Sequence, residues 1–439
     1  MKRKQPLLLV IIAFFVLSNF IYNVPNIEAA TKLDIKAKAA IIIDAKTGKV
    51  LYEDNADELL GVASMSKMLT EYLVLEAIHE GRISWDQKVT INEFVHKLSS
   101  PYLGLSNVGL TQGEAYTVKE LYQAMAIHSA NAATVALAEV IAGTEGNFVK
   151  LMNEKAAELE LGDFHFVNST GLNNSDMLDN HPEGTDINDE NKMSARATAK
   201  LAYHLLNDFP EVLDTAKISR LKFRDGRTYN NFNWMLPELT FEYEGVDGLK
   251  TGSTNFAGYC FTATAVKSNQ RFITVIMNTK SQIERFNETA KLLDYAFANF
   301  GEDTLFEKGF VPESKKTLPV TKGKDDSVKI ATKDPLSLII KNGEKDKYKA
   351  KLVLNKKKLN EDGQLTAPVK EGDVVGYLTY EYDGDDLGFI TDKESTVKVD
   401  VVATESVEKA NWFVLMMRGI GNFFASLWNG ITTTVGGWF

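Results

Sequence analysis

The stretch GVASMSKMLTEYLVLEAI, residues 61–78, changes from small and polar residues to an apolar pattern with helical spacing. Ser64 lies where this pattern begins, so its hydroxyl is expected in the first turn of a helix. Residues three apart share a helix face, which brings Lys67 within hydrogen-bonding range of Ser64. Ser66 is adjacent to Lys67 in sequence and therefore points away from it. The stretch predicts a Ser-x-x-Lys pair at the start of a helix.

Such a pair is suited to nucleophilic catalysis. A serine hydroxyl is a weak nucleophile until a neighbouring base takes its proton, and lysine serves as that base when burial or a nearby cation lowers its pKa. The positive potential of a helix N-terminus also favours an alkoxide. On this stretch alone a second interpretation stays open, because Ser-x-x-Lys also occurs as a helix cap followed by a solvated lysine.

Two further stretches favour the catalytic interpretation. HSANAA places Ser129 and Asn131 in Ser-x-Asn order after an amphipathic helical run. GLKTGSTNFAGYC places a Lys-Thr-Gly triplet, beginning at Lys250, just before a predicted β-hairpin. Ser-x-x-Lys, a Ser-x-Asn type element and Lys-Thr-Gly form the set of motifs described for class A β-lactamases and penicillin-binding proteins.

With these motifs the chain resembles a low-molecular-mass penicillin-binding protein of Gram-positive bacteria, a serine-type D-alanyl-D-alanine carboxypeptidase. The resemblance covers nearly the whole chain, including ASMSKMLT from Ala63, STGL from Ser169 and DGLKTG from Asp247. It implies an α+β fold, with a penicillin-binding or serine β-lactamase-like catalytic domain of an antiparallel sheet and flanking helices. A small all-β domain and a C-terminal amphipathic helix would follow.

The resemblance also implies catalytic roles for five residues. Ser64 would attack the carbonyl between two terminal D-alanines, and Lys67 would accept its proton. Ser129 and Asn131 would relay protons and hold the peptide backbone. Lys250 would add positive charge near the other groups, and one ammonium depresses the pKa of the next.

The implied substrate-binding residues are those that would hold the terminal carboxylate and the developing oxyanion. Thr251 would bind the carboxylate, and the N–H groups of Ser64 and Ser253 would form the oxyanion hole. Ser253 follows Gly252 where many relatives carry histidine, which changes the side chain but leaves the backbone donor. Arg285 would add a cation for the carboxylate, since its planar fork suits that group; a solvated helix arginine is the alternative.

The chain divides by composition into four segments. Residues 1–29 combine a basic start with an apolar run and read as a removable export signal, with an uncleaved N-terminal anchor as the alternative. Residues 30–304 mix strand and helix patterns and contain all the motifs. Residues 305–404 show short alternating runs typical of a small β domain, for which an interaction or spacer role is expected. Residues 405–439 form the final segment.

This final segment repeats apolar side chains at three- and four-residue steps, giving one wide apolar face. Polar residues interrupt what would otherwise be a spanning helix. We expect an amphipathic helix that lies in the membrane interface, which would place the exported enzyme on the outer face of the cytoplasmic membrane. A helix packed against a globular domain is the alternative.

Composition, charge and motif content argue against several other classes of function. The net charge is −10 at pH 7 and near −12 without residues 1–29, which argues against a nucleic-acid partner. The single cysteine, Cys260, leaves no internal disulfide and is expected to be a buried apolar residue. The six histidines lack metal-ligand spacing and no Gly-rich phosphate loop occurs, so no metal or cofactor is predicted and a zinc carboxypeptidase is disfavoured.

Alternatives within the same fold remain. A class A β-lactamase needs a Glu-x-x-Leu-Asn segment, whereas the nearest string, ELELG at residues 158–162, lacks the asparagine and looks helical. A β-lactam-sensing receptor and a non-catalytic wall-binding protein are the other options. The preferred prediction is an enzyme that acts on peptidoglycan stem peptides ending in D-Ala-D-Ala and is covalently inhibited by β-lactams. A polar loop over residues 173–195 is expected to border its site.

Overall fold

The computed structural model describes residues 33–313, 315–391, 397–418 and 420–421. The predicted signal and most of the predicted C-terminal helix lie outside these ranges. The helices are α1 Lys67–His79, α2 Glu93–Leu98, α3 Val118–His128, α4 Asn131–Ala142, α5 Glu145–Glu158, α6 Ala195–Asp208, α7 Val212–Ala216 and α8 Gln282–Asn299. Within the described ranges, short 3₁₀ turns occur at Ala63–Ser66, Pro101–Leu103, Asn174–Asp176, Lys345–Lys347 and Lys356–Lys358.

The strands fall into two groups along the chain. Those of the first group are β1 Ala39–Asp44, β2 Val50–Asp54, β3 Leu60–Gly61, β4 Lys88–Thr90, β5 Ala115–Thr117, β6 Phe164–His165, β7 Lys192–Met193, β8 Arg220–Lys222, β9 Thr228–Asn230, β10 Val246–Thr254, β11 Gly258–Lys267 and β12 Gln270–Thr279. Those of the second are β13 Phe300–Phe306, β14 Thr317–Thr321, β15 Ser327–Thr332, β16 Leu336–Lys341, β17 Tyr348–Leu354, β18 Leu365–Thr366, β19 Val374–Tyr382 and β20 Val399–Ala403.

A five-stranded antiparallel sheet with the order β10-β11-β12-β1-β2 forms the centre of the first domain. Successive side chains of a strand point to opposite faces, and every residue of β1 is buried, so both faces of the sheet must be covered. Ile41 and Ile43 pack into one apolar core together with residues of α1, α3, α4 and α6. The opposite face is covered by α8, where Phe286 and Phe297 pack against Phe261 and Phe272.

The second domain has its own apolar core and is built from strands. A six-stranded sheet has the order β17-β19-β20-β15-β14-β18, and β13 pairs with β16 in a separate two-stranded sheet. Leu305 and Phe306 of β13 belong to this second core, and α8 ends at Asn299. The predicted boundary between residues 304 and 305 therefore falls inside β13, because the alternating pattern there starts within a run that also resembles the end of a helix.

The two domains meet at the turn between β1 and β2. Residues 388–390 run alongside this turn: Ile390 N–H donates to the Gly48 carbonyl over 2.7 Å, and Val50 N–H donates to the Gly388 carbonyl over 3.0 Å. Lys49 is buried there, with its Nζ 5.2–6.0 Å from the ring centres of Tyr348, Tyr380, Tyr382 and Phe389. Backbone hydrogen bonds and the Lys49 ammonium, which is surrounded by aromatic rings, thus join the two domains.

The chain end leaves the second domain near Ala410. Residues 412–418 are helical, and Trp412 and Phe413 are 74% and 54% exposed. Arg418 is tied back to the domain, donating to the Gly323 carbonyl over 2.9 Å and pairing with Asp326 over 2.8 Å. Among the described residues, no helix combines the length and the hydropathy that a membrane crossing requires.

We expect Lys49→Ala to lower the free energy of unfolding by about 2 kcal/mol, because the substitution removes a desolvated cation and its aliphatic stem from four aromatic rings. Urea denaturation followed by tryptophan fluorescence measures this change. Lys46→Ala is the matched control, since Lys46 lies on the same turn but is exposed and pairs with Glu302 at the surface. Equal losses for the two variants would contradict the assignment of Lys49 to the domain joint.

Candidate active site

The predicted nucleophile lies in a tight turn rather than in the first turn of the α-helix itself. Residues Ala63–Ser66 form a 3₁₀ turn that leads directly into α1 at Lys67. Ser64 is the half-buried residue of this turn, and the Lys67 Nζ donates to its Oγ over 2.9 Å. Ser66 instead donates to the Ala63 carbonyl over 2.7 Å, as its position one residue from Lys67 requires. The Ser64 hydroxyl therefore has a direct lysine partner.

The Lys67 amine is fully buried and contacts three acceptors. Besides Ser64, its Nζ donates to Asn131 Oδ1 over 2.7 Å and to the Thr170 carbonyl over 2.6 Å. Asn131 is held by its own amide, whose Nδ2 donates to the Ser106 carbonyl over 3.1 Å. The three partners come from the 3₁₀ turn before α1, the start of α4 and the STGL stretch, so segments up to about a hundred residues apart converge on one nitrogen.

Ser129 lies immediately after the C-terminal end of α3. Its backbone has φ of 56°, in the left-handed region, where it caps the helix and turns the chain into α4 at Asn131. Its Oγ accepts a hydrogen bond from Lys250 Nζ over 3.0 Å. The structure therefore places the Ser-x-Asn element between the two lysines, with Asn131 on Lys67 and Ser129 on Lys250.

Lys250, Thr251, Gly252 and Ser253 lie on β10, the edge strand of the central sheet. Lys250 and Thr251 are buried, whereas Ser253 is exposed. Gly252 packs against the nucleophile turn so closely that a Cβ at this position would lie 2.5 Å from the Val62 carbonyl oxygen. Only glycine allows this approach, which keeps the backbone of β10 beside Ser64.

Burial and a neighbouring cation lower the pKa of each of the two lysines. Desolvation, followed by the positive charge of Lys250, holds the pKa of Lys67 well below its ordinary value of 10.5. Desolvation lowers the pKa of Lys250 to about 8, with Arg285 adding to the effect. A neutral Lys67 beside Ser64 Oγ is the arrangement that proton abstraction needs.

Arg285 is not a solvated helix arginine. It projects from α8 and is only 2% exposed, with Nη1 donating to the Gly252 carbonyl over 3.3 Å. Its guanidinium lies 4.8 Å from the ring centre of Phe286, and desolvation lowers its pKa to about 10. The Nε has no hydrogen-bond partner within the described part of the chain. The cation thus lies directly behind the Lys-Thr-Gly strand.

Sequence reasoning missed two acidic residues and one carbonyl near the lysines. The Thr170 carbonyl leaves no side-chain signal in a sequence. Glu145 begins α5 and resembles an ordinary first-turn acid. Glu71 follows Lys67 by four positions, which is a detectable helix-face spacing; it is buried, accepts weakly from the Tyr122 hydroxyl at 3.4 Å, and desolvation raises its pKa to about 7.

The remaining predicted features also have places in the structure. The loop over residues 173–195 reaches β10 through Glu190, which accepts from Thr254 Oγ1 over 2.7 Å. Cys260 is buried on β11, and desolvation raises the pKa of its thiol to about 11, which disfavours the nucleophilic thiolate. The residues described by the structure contain no group of three or more histidine, cysteine, aspartate or glutamate side chains placed to hold a metal ion.

Comparison with known proteins agrees with this geometry. A family model described as D-alanyl-D-alanine carboxypeptidase matches residues 26–281, and one described as penicillin-binding protein 5, C-terminal domain, matches residues 300–409. The D-alanyl-D-alanine carboxypeptidase DacF of Bacillus subtilis (strain 168) is 32% identical over 427 residues, which are 96% of this chain and 99% of the relative.

Solved structures give the same result. A peptidoglycan synthesis regulatory factor (PBP3) from Streptococcus pneumoniae is 36% identical with a TM-score of 0.71, covering 85% of this chain and 100% of that one. Penicillin-binding protein D2 from Listeria monocytogenes, solved with cefotaxime bound, is 32% identical with a TM-score of 0.52 and covers 61% of this chain and 99% of its own.

The fold and the Ser–Lys site define a serine hydrolase of the low-molecular-mass penicillin-binding class. Within that class, the chain belongs to the D-alanyl-D-alanine carboxypeptidase family and is a serine-type carboxypeptidase. The predicted family, α+β fold and enzyme class are therefore confirmed.

We expect the rate of acylation to have a bell-shaped pH dependence. The rate rises with pH as Lys67 loses its proton, at an apparent pKa well below 10.5, because only the neutral amine accepts the Ser64 proton. The rate falls again near pH 8, because Lys250 then loses its proton and with it the positive charge beside Ser129 Oγ. The two apparent values belong to the coupled lysine pair.

Stopped-flow measurement with a fluorescent penicillin between pH 5 and pH 10 tests this profile. In Lys250→Arg the guanidinium stays charged throughout that range, so the residual activity should lose its descending limb. A single ascending limb near pH 10 in the wild-type protein would contradict the lowered lysine pKa values.

Proposed function

We propose that this enzyme removes the C-terminal D-alanine from peptidoglycan stem peptides through an acyl-enzyme on Ser64. The observation that carries the proposal is the 2.9 Å contact between Lys67 Nζ and Ser64 Oγ. The relatives named D-alanyl-D-alanine carboxypeptidase support the choice of substrate.

The reaction has two stages. Neutral Lys67 takes the Ser64 proton as Oγ attacks the carbonyl between the two D-alanines, and the N–H groups of Ser64 and Ser253 stabilise the oxyanion. The C–N bond breaks, and the departing D-alanine nitrogen receives a proton through Lys67 or Ser129. Water then attacks the ester, a proton returns to Ser64 Oγ, and the shortened peptide leaves.

Recognition of the substrate requires a cation for its free carboxylate. Thr251 supplies a hydroxyl on β10, and Lys250 and Arg285 supply positive charge on either side of that strand. Both cations are buried, where their interaction with an anion is less screened by water than at the surface. This arrangement favours a peptide with a free C-terminus over an internal peptide bond.

A β-lactam mimics the same acyl donor, so we also propose that the drug acylates Ser64. The structure of the Listeria monocytogenes protein with cefotaxime bound supports this extension. Only the first residue of the ELELG string, Glu158, lies in α5, so the expectation that the string is helical is wrong for residues 159–162, which follow the helix and begin with a turn. The string still lacks the asparagine of the deacylating segment. We therefore propose a long-lived penicilloyl-enzyme rather than a β-lactamase.

The test incubates the purified protein with a pentapeptide ending in D-Ala-D-Ala and measures release of D-alanine. We expect the wild-type protein to release many molecules of D-alanine per molecule of enzyme. The rate of release by Ser64→Ala should be at least about a thousandfold lower, since the nucleophile is lost. Ser66→Ala is the matched control, because the Ser66 hydroxyl donates to the Ala63 carbonyl and not to Lys67. Absence of release from the wild-type protein would favour the receptor or the wall-binding alternative, and rapid turnover of nitrocefin would favour a β-lactamase.

We further propose that the exported chain attaches to the outer face of the cytoplasmic membrane through its C-terminal segment. Trp412, Phe413, Met416 and Met417 are all large, apolar and exposed in the helical turn where this segment begins. Such side chains are stable in the headgroup region of a bilayer, where water is excluded from one helix face.

Deletion of residues 412–439 should abolish sedimentation with phosphatidylglycerol-containing vesicles while leaving D-alanine release from soluble pentapeptide within about twofold, because the site lies in the other domain. Lys398→Ala, an exposed substitution in the second domain, serves as the control for surface effects. Undiminished sedimentation of the truncated protein would contradict the proposal.

A further inference from the structure

The turn formed by residues 168–171 lies directly against the catalytic lysine. The Thr170 carbonyl accepts from Lys67 Nζ over 2.6 Å, and the neighbouring Ser169 carbonyl accepts from Thr70 Oγ1 over 2.8 Å. Within the turn, Asn168 Oδ1 accepts from the N–H groups of Thr170 and Gly171 over 3.1 and 2.7 Å. The turn therefore acts as a fixed backbone acceptor for Lys67.

A buried carboxyl holds this turn from behind. Glu145 Oε1 accepts from the Ser169 N–H over 2.9 Å and from the Ser169 Oγ over 2.6 Å, while Oε2 is buried with no hydrogen-bond partner in the described chain. Desolvation raises the pKa of Glu145. Burial of such a group opposes folding. The N-cap of α5 is supplied by Thr144, whose hydroxyl accepts from Asn147 N–H, so Glu145 is not needed as the cap.

The position of the Thr170 carbonyl decides where the Lys67 lone pair points. A neutral amine has two N–H bonds and one lone pair. Asn131 Oδ1 and the Thr170 carbonyl are acceptors without hydrogens, so each takes one N–H of the neutral amine. The orientation of Asn131 follows from its Nδ2 bond to the Ser106 carbonyl. The remaining direction, occupied by the lone pair, is that of Ser64 Oγ, the one partner able to donate a proton.

We propose that Glu145 is a positioning residue for the general base. By fixing Ser169, it keeps the Thr170 carbonyl on Lys67 and so directs the amine lone pair at Ser64 Oγ. The inference goes beyond the proposed function and depends on it in one respect, namely that Lys67 is the base for Ser64. Glu145 itself contacts neither the nucleophile nor Lys67 in the described contacts.

The test measures the first-order acylation rate of Glu145→Ala with a fluorescent penicillin across pH. We expect a reduction of about 10- to 100-fold, the range that corresponds to a lost hydrogen bond to a charged group. The ascending limb should also move to lower pH, because an ammonium without its Thr170 acceptor is less stable and Lys67 loses its proton sooner. The Glu145 charge also raises the pKa of Lys67 directly, so the limb is compared with that of Glu145→Gln, which loses the charge but keeps the Oε1 acceptor. Equal limbs in the two variants would indicate a charge effect alone, and a lower midpoint of thermal unfolding with no movement of the limb would indicate a merely structural role.

Three further variants complete the design. Glu145→Gln retains an oxygen at the Oε1 position and should acylate within about threefold of the wild-type rate. Ser169→Ala keeps the N–H bond and loses the hydroxyl bond, so an intermediate rate is expected, and this variant serves if Glu145→Ala does not fold. Glu154→Ala is the matched control, since Glu154 lies on the same helix as Glu145 but is exposed.

Two results would overturn the inference. One is a wild-type rate and pH limb in both Glu145→Ala and Ser169→Ala. The other is an equal loss of rate in Glu145→Ala and Glu145→Gln. Failure of the underlying function has a different signature, because the wild-type protein itself would then show no acylation that Ser64→Ala abolishes.

Discussion

The fully buried amine of Lys67 is the group around which the catalytic domain is arranged. A lysine nitrogen removed from water needs an acceptor in each direction that it offers a hydrogen. Here the acceptors are an amide oxygen at the start of α4 and a backbone carbonyl from the STGL stretch, and the third partner is the Ser64 hydroxyl in the preceding 3₁₀ turn. Each acceptor must be held in place by its own segment. The left-handed end of α3, which leads into α4, and the turn at residues 168–171 hold these acceptors beside the Lys67 nitrogen.

The central sheet supplies the second constraint. Because β10 is an edge strand, its Lys-Thr-Gly residues face the nucleophile turn instead of another strand. Gly252 permits the contact, and the buried charge of Lys250 then adds to desolvation in disfavouring the Lys67 ammonium. The same packing that positions the strand thus also sets the proton affinity of the base.

Local patterns in the sequence were sufficient for some of this arrangement and not for the rest. The pairing of Ser64 with Lys67 follows from a spacing of three residues, and the hairpin of β11 and β12 follows from the β-rich pattern after the Lys-Thr-Gly triplet. The contact between Ser129 and Lys250 joins residues 121 positions apart, and only the resemblance to a known family linked them in advance. The Thr170 carbonyl and Glu145 were missed because one is backbone and the other looks like a helix-start acid. The predicted boundary between residues 304 and 305 lies within β13 for a similar reason, since strand pairing decides where a strand begins and periodicity does not.

The joint at Lys49 has a consequence for the geometry of the enzyme as a whole. Because the β1–β2 turn is paired with residues 388–390 and its lysine is enclosed by aromatic rings of the second domain, no free linker separates the catalytic cleft from residue 410. These contacts restrain the position of Ser64 relative to the start of the C-terminal segment. A surface that held the chain end would therefore also set the distance from that surface at which the cleft meets its substrate.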